Sequence, residues 1–223
     1  MASLHDGGVG ELKAVHPTTD RTPLVALGPE PAPSWATKAA IAGGAQIVPV
    51  EQAEGLLWMR QGDPGELFDV LRDAPQIQWV HLRWAGVEEF VRRESLDDGR
   101  IWTCGKGVFA EPVAEHALAL GLAGLRDLPE RVRASHWESP SGVSLFNGRV
   151  TVLGGGGITQ ALARLLEPFR VELTVVRRSG SSFPGATRTL WPDQLDDALP
   201  GADLVVIALS LTPETVGIMA APQ

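Results

Sequence analysis

The stretch from Val150 to Phe169, VTVLGGGGITQALARLLEPF, constrains this chain more than any other segment. Four consecutive glycines, Gly154 to Gly157, stand between a short apolar run and residues with helical spacing. Alone, such a run is either a flexible loop or a turn that lets backbone approach a ligand. The flanks decide between them. VTVL reads as a buried strand, ITQALARLLEPF as a helix, and the run ending at Val176 as a second strand. A strand turning directly into a helix presents backbone amides and the positive end of the helix dipole to an anion. At Gly154 and Gly156 the missing Cβ lets a pyrophosphate reach the main chain. Thr159 stands where the pattern G-x-G-x-x-G has its third glycine. That position serves helix–strand packing, so a small residue is tolerated with a slight helix shift.

The end of the second strand selects the dinucleotide. A site for NAD usually carries Asp or Glu there, bonded to the ribose hydroxyls. This chain has Arg177, Arg178 and Ser179. Two guanidiniums and a hydroxyl suit a 2′-phosphate, which a carboxylate would repel. Each charge-assisted hydrogen bond is worth about 1.5–3 kcal/mol, or roughly one to two decades in affinity. NADP(H) is the favoured cofactor and NAD(H) is possible.

Upstream, continuous apolar stretches at 23–27, 45–50, 55–59, 78–82 and 100–104 alternate with helical patterns near 34–42, 65–73 and 86–93. Such alternation predicts a parallel sheet covered on both faces. A long helix is expected from about 113 to 125, with Pro112 in its first turn. Strand 150–153, helix 157–167, strand 171–176, a weak strand at 186–190, helix 193–199 and strand 203–209 follow. The fold class is α/β.

Composition narrows the partners. A chain of 223 residues with 44% hydrophobic residues can bury a sizeable core. A net charge of −8 argues against nucleic acid as a partner. The one cysteine, Cys104, permits no internal disulfide. The N-terminal residues lack the pattern of a secretory signal, and no apolar run approaches the ~20 residues of a bilayer span. A cytoplasmic protein is expected, with residues 1–22 as a loose leader.

Three segments together resemble the D-isomer specific 2-hydroxyacid dehydrogenases, in particular their glyoxylate/hydroxypyruvate reductase-like branch. They are QWVHLRWAGVEEFV, GVFAEPVAEHALALGLAGLRDLPE, and the glycine turn with VVRRSG and DLVVIALSLTPETVGIM. The resemblance covers residues 50 to 219. It implies a flavodoxin-like substrate domain at 23–104 and a Rossmann dinucleotide-binding domain at 105–223, incomplete in this chain. The amides around Ala85, Gly86 and Val87 would bind a substrate carboxylate, a role suited to a Gly-containing turn. Gly157 and Ile158 would cover the pyrophosphate, and Leu209, Ser210, Leu211 and Thr212 would line the ribose and nicotinamide side. Arg60, near the family's other substrate loop, is a weaker candidate. A homodimer through the helix near 113–125 is implied.

The family's catalytic Arg, Glu and His fall after the last residue given, so no catalytic residue is assigned. His81 and His116 read as structural, and no metal-ligand spacing is found. Two readings stay open. In the first, the chain belongs to an NADP(H)-dependent reductase of a small 2-oxo acid, recorded without its C-terminal third. In the second, it is a cofactor-binding, non-catalytic or regulatory remnant of that family.

Overall fold

In a computed structural model of the chain, the described residues are 21–137, 139, 141–179 and 181–220. The leader expected at 1–22 lies outside them, except for Arg21 and Thr22. Arg21 forms an ion pair with Glu54 at 3.1 Å.

The first sheet contains β1 (Leu24–Gly28), β2 (Gln46–Ile47), β3 (Gly55–Trp58), β4 (Trp79–Leu82) and β5 (Ile101–Cys104). All pairings are parallel, in the order β2-β1-β3-β4-β5, which is the flavodoxin-like arrangement. Helix α1 (Ser34–Ala42) lies between β1 and β2, α2 (Pro64–Asp73) between β3 and β4, and α3 (Glu88–Arg93) between β4 and β5. Pro64 opens α2, where its missing N–H is no loss. Glu66 in its first turn and Arg72 in its last complement the helix dipole. The helix buries Leu67, Phe68 and Leu71 against Leu56, Trp58, Val80 and Leu82. Each such side chain contributes about 1.5–3 kcal/mol by leaving water.

The second sheet contains β6 (Arg149–Leu153), β7 (Glu172–Val176), β8 (Arg188–Leu190) and β9 (Leu204–Ile207), all parallel, in the order β8-β7-β6-β9. Before it come α4 (Ala110–Leu125) and α5 (Leu128–Arg133). Between its strands lie α6 (Gly157–Leu166) and α7 (Leu195–Ala198). This is the strand order of a Rossmann-type half, which reverses direction between β6 and β9. Ligands bind such sheets at the carboxyl ends beside that reversal. Helix α4 packs on α6 and reaches β9. Gly121 permits this, because a Cβ there would lie 2.8 Å from Leu204 Cδ2.

Several boundaries differ from the sequence reading. The strand expected at 45–50 is reduced to Gln46–Ile47, and Val50–Gln52 forms a 3-10 turn. Pro49 has no N–H to give a ladder there. The expected helix 86–93 starts at Glu88, leaving Gly86 and Val87 in a turn. Helix α4 begins at Ala110, with Pro112 still in its first turn. The strand expected at 203–209 is paired over Leu204–Ile207. Helix α5 was not expected at all.

Candidate functional site

The four glycines occupy the carboxyl end of β6, each in a different setting. Gly154 has φ +110, and its amide donates to Val176 O at 2.8 Å. A Cβ on it would lie 2.4 Å from Ala208 O, the carbonyl just beyond β9. Only glycine fits. A Cβ on Gly155 would fall 2.9 Å from Arg177 Cδ and 3.0 Å from Nε, so the Arg177 side chain lies across the turn at this residue. Gly156 caps α6 in extended backbone (φ −90, ψ −167), and a Cβ there would meet no atom within 4 Å. Gly157 opens α6, with Ala110 Cβ 3.4 Å from the point a side chain would start. Ile158 is half-buried against the core of this unit.

Thr159 does more than fill a small-residue position. It is fully buried, and its hydroxyl donates to Gly154 O at 2.7 Å, pinning the turn to the first turn of α6. The sequence reading allowed this residue for its size and missed the bond. A buried hydroxyl five residues beyond a tight turn is the signal that could have revealed it.

At the carboxyl end of β7, Arg177 is half-buried, with its guanidinium carbon 5.8 Å from the Phe183 ring centroid. Arg178 is exposed, and Ser179 Oγ lies 2.9 Å from Ser181 Oγ. The segment after β9 comes back toward this edge. There the Glu214 carboxyl is held below the usual carboxylate range by the Thr212 hydroxyl, by its own amide and by the charge of Arg178. Leu209 packs on the small cluster of Leu153, Val176, Leu195 and Ala198. Ser210 and Leu211 are exposed, and the Thr212 amide donates to Thr215 Oγ1 at 2.8 Å. That hydroxyl donates in turn to Ser210 O at 2.7 Å, so residues 209–212 form a braced loop.

The donor set fits a dinucleotide. Gly156 offers open space over the helix N-terminus, Gly154 lets the turn pack against the Ala208 carbonyl, and two arginines close the β7 edge where an adenosine ribose would lie.

Ala85 and Gly86 are exposed, and Val87 caps α3. The amides of these three residues donate to no acceptor among the described residues. The Glu88 carboxylate stands close by, 3.0 Å from where a Gly86 side chain would begin. Arg60, beyond β3, hydrogen-bonds the Glu66 carboxylate. The two turns are linked through the start of α4. Trp84 stacks on Phe109 with ring centroids 5.8 Å apart, and the next residue, Ala110, is the one that meets Gly157.

The histidines stand apart from this arrangement. His81 Nδ1 lies 3.0 Å from Thr103 Oγ1, and burial lowers its pKa below the ordinary value. His116 is exposed on α4. Among the described residues, no group of His, Cys, Asp or Glu is arranged to hold a metal. No described helix is long and apolar enough to cross a membrane.

Residues 116–223 match the model of the D-isomer specific 2-hydroxyacid dehydrogenase NAD-binding domain. A D-3-phosphoglycerate dehydrogenase of Mycobacterium tuberculosis is 35% identical over 156 residues, covering 68% of this chain and 30% of the relative. The chain spans between 30% and 51% of the length of curated relatives it matches. Among solved structures, a D-isomer specific 2-hydroxyacid dehydrogenase family protein from Aeromonas salmonicida superposes with a TM-score of 0.76. It is 21% identical, and the match covers 91% of this chain and 69% of that one. An NADPH-dependent glyoxylate/hydroxypyruvate reductase from Sinorhizobium meliloti, solved with NADP and sulfate, superposes with a TM-score of 0.66. That protein is 21% identical, with 87% of this chain and 64% of that one covered. These two likenesses establish the shared fold. With the glycine turn at the sheet reversal and the matched cofactor-domain sequence, the chain belongs to the D-isomer specific 2-hydroxyacid dehydrogenase family.

Proposed function

We propose that the protein reduces a small 2-oxo acid of the glyoxylate or hydroxypyruvate type to its D-2-hydroxy acid, with NADPH preferred over NADH. The observation that carries this reading is the β7 edge. Arg177 lies across Gly155 and Arg178 follows it, where a carboxylate would otherwise receive the ribose hydroxyls. The named cofactor of the Sinorhizobium reductase agrees with that choice. A reduced nicotinamide, when bound, supplies the hydride. Gly156, Gly157 and Ile158 would hold the pyrophosphate by main-chain contact, while Gly154, expected to share that contact, has its amide taken by Val176 O and instead shapes the turn. Arg177, Arg178 and Ser179 would hold the 2′-phosphate, and Leu209 to Thr212 the nicotinamide side. The amides of Ala85, Gly86 and Val87 would receive the substrate carboxylate. Substrate and cofactor domains would divide near residue 104. Exposed Val113 and Leu120 on α4 support a homodimer across that helix, and a cytoplasmic location fits the single cysteine.

The test is a calorimetric titration of the chain with NADPH and NADH, followed by turnover on glyoxylate and hydroxypyruvate. NADPH should bind at least about tenfold tighter, and Arg177→Asp should narrow or reverse the ratio. Equal dissociation constants in the unmutated protein refute the cofactor assignment. Tight nucleotide binding without turnover, in the full-length gene product, supports the non-catalytic reading instead.

A further inference from the structure

Arg83 leaves β4 immediately before the turn at Ala85–Val87. Its amide donates to Trp58 O at 3.2 Å, which fixes its backbone at the carboxyl edge of the first sheet. Its guanidinium carbon lies 4.5 Å from the Trp84 ring centroid and 5.0 Å from that of Trp35, at the start of α1. Trp84 is itself held by the stack on Phe109. Indole faces occupy the guanidinium by cation–π attraction and leave its N–H donors in the plane of the group. Among the described residues those donors meet no carboxylate and no hydrogen-bond acceptor. Arg60, by contrast, is engaged by Glu66. A stacked arginine with its edge open is a rigid fork matched to a planar carboxylate or to two phosphate oxygens.

Within a few consecutive residues the chain therefore carries two anion receptors of different kinds. One is the row of unpaired amides at Ala85, Gly86 and Val87, and the other is the Arg83 fork. A 2-oxo acid with a single carboxylate uses only the first. The Glu88 carboxylate beside Gly86 opposes any anion there, which makes a nearby fixed cation more valuable.

We propose that Arg83 is a specificity residue that binds a second anionic group, a carboxylate or a phosphate, on the carbon chain of the 2-oxo acid whose own carboxylate lies on the Ala85–Val87 turn. The inference rests on the reading above that the protein reduces a 2-oxo acid, and extends its substrates from monoanionic glyoxylate and hydroxypyruvate to 2-oxo acids with a second anionic group, which it favours. Trp35 and Trp84 act as positioning residues that hold the fork flat.

The experiment is calorimetric titration of the NADP+-saturated protein, in which no hydride is available to consume the acid, with three acids. Hydroxypyruvate carries one anionic group, oxaloacetate a second carboxylate, and 3-phosphohydroxypyruvate a phosphate. A dianionic acid should bind about 10–100-fold tighter than hydroxypyruvate, and the tighter of the two identifies the group Arg83 takes. Its advantage should shrink as salt is raised. Arg83→Gln should remove the dianion's advantage, so that within the variant the dianion and hydroxypyruvate bind within about twofold of each other. Arg83→Lys keeps a cation over the indoles without the fork and should retain only part of the preference. Should Arg83→Gln melt before the titration, Arg83→Lys carries the comparison, and an undiminished preference there overturns the fork. Equal binding of all three acids, or a preference that survives Arg83→Gln, overturns the assignment while the reductase reading stands. Failure of every 2-oxo acid to bind the NADP+-loaded protein overturns both.

Discussion

Replacing Gly156 by valine should abolish nucleotide binding and leave the fold intact, and its neighbour Gly154 supplies the contrast. The Gly156 backbone is extended, a region any residue adopts, and a Cβ there meets no protein atom within 4 Å. Folding therefore loses nothing to collision. The N-cap exchange costs about 0.5–1.5 kcal/mol, because valine is a much poorer N-cap than glycine, and the reduced entropy of the unfolded chain returns about 0.4–1 kcal/mol. The net change is within about 1 kcal/mol, or roughly 2–4 °C in Tm for a chain of this size. The two valine methyl groups would project into the space over the α6 N-terminus, and a pyrophosphate could not reach the amides. Losing two or more charge-assisted bonds of about 1.5–3 kcal/mol each lowers affinity at least about 100-fold. Gly154→Ala should behave in the opposite way. Its Cβ would sit 2.4 Å from Ala208 O in a backbone with φ +110, so the cost falls on folding, at about 2 kcal/mol or more. Scanning calorimetry and NADPH titration on both variants separate the two effects. If Gly156→Val binds NADPH with unchanged affinity, or if Gly154→Ala melts like the parent, the division of labour argued for these glycines is wrong.

Thr159→Val should lower stability by about 1–3 kcal/mol, because it removes the donor to Gly154 O at a fully buried position, whereas Thr159→Ser should keep most of it. Equal urea midpoints for the parent and Thr159→Val refute that role. Burial lowers the His81 pKa below 6.5, so the unfolded chain takes up the proton first as pH falls. The contribution of neutral His81 is therefore complete above about pH 6.5 and declines as pH drops through that value toward the lower folded-state pKa. Urea midpoints at roughly pH 7.5 and pH 5.5 should show a smaller acid loss in His81→Gln than in the parent, and identical losses would contradict the burial argument.

The architecture was legible where apolar runs were long and their flanks clear. Helix α1 matches its expected span, and the glycine turn sits between the strand and helix that its neighbours announced. Helix α5 escaped notice for a physical reason. Val132 is 84% exposed and the element has no buried residue, so no apolar face existed to be read. Strand β2 is shorter than the apolar content at 45–50 implies, because Pro49 has no N–H to give the ladder. Site residues were legible as types and illegible as partners. Four glycines announce a turn, yet what forbids a side chain at Gly154 is the Ala208 carbonyl, and what crosses Gly155 is Arg177. Neither relation is written within the glycine run. Arg83 is visible in the string HLRWAGV, but the indole of Trp35 that orients it is supplied from α1.

The first turn of α4 works as a gauge block between the two halves of the candidate site. Phe109 stacks on Trp84, one residue before Ala85, and Ala110 Cβ lies 3.4 Å from where a Gly157 side chain would start, so a single peptide unit at the start of α4 separates two turns carried on different sheets. Packed atoms transmit displacement without slack. The spacing between the carboxylate proposed for one turn and the nucleotide proposed for the other would then depend on these two contacts. Because a misplacement of about 1 Å can cost ~100-fold in rate, the sizes of the side chains at 109 and 110 set a mechanical tolerance on the whole cleft.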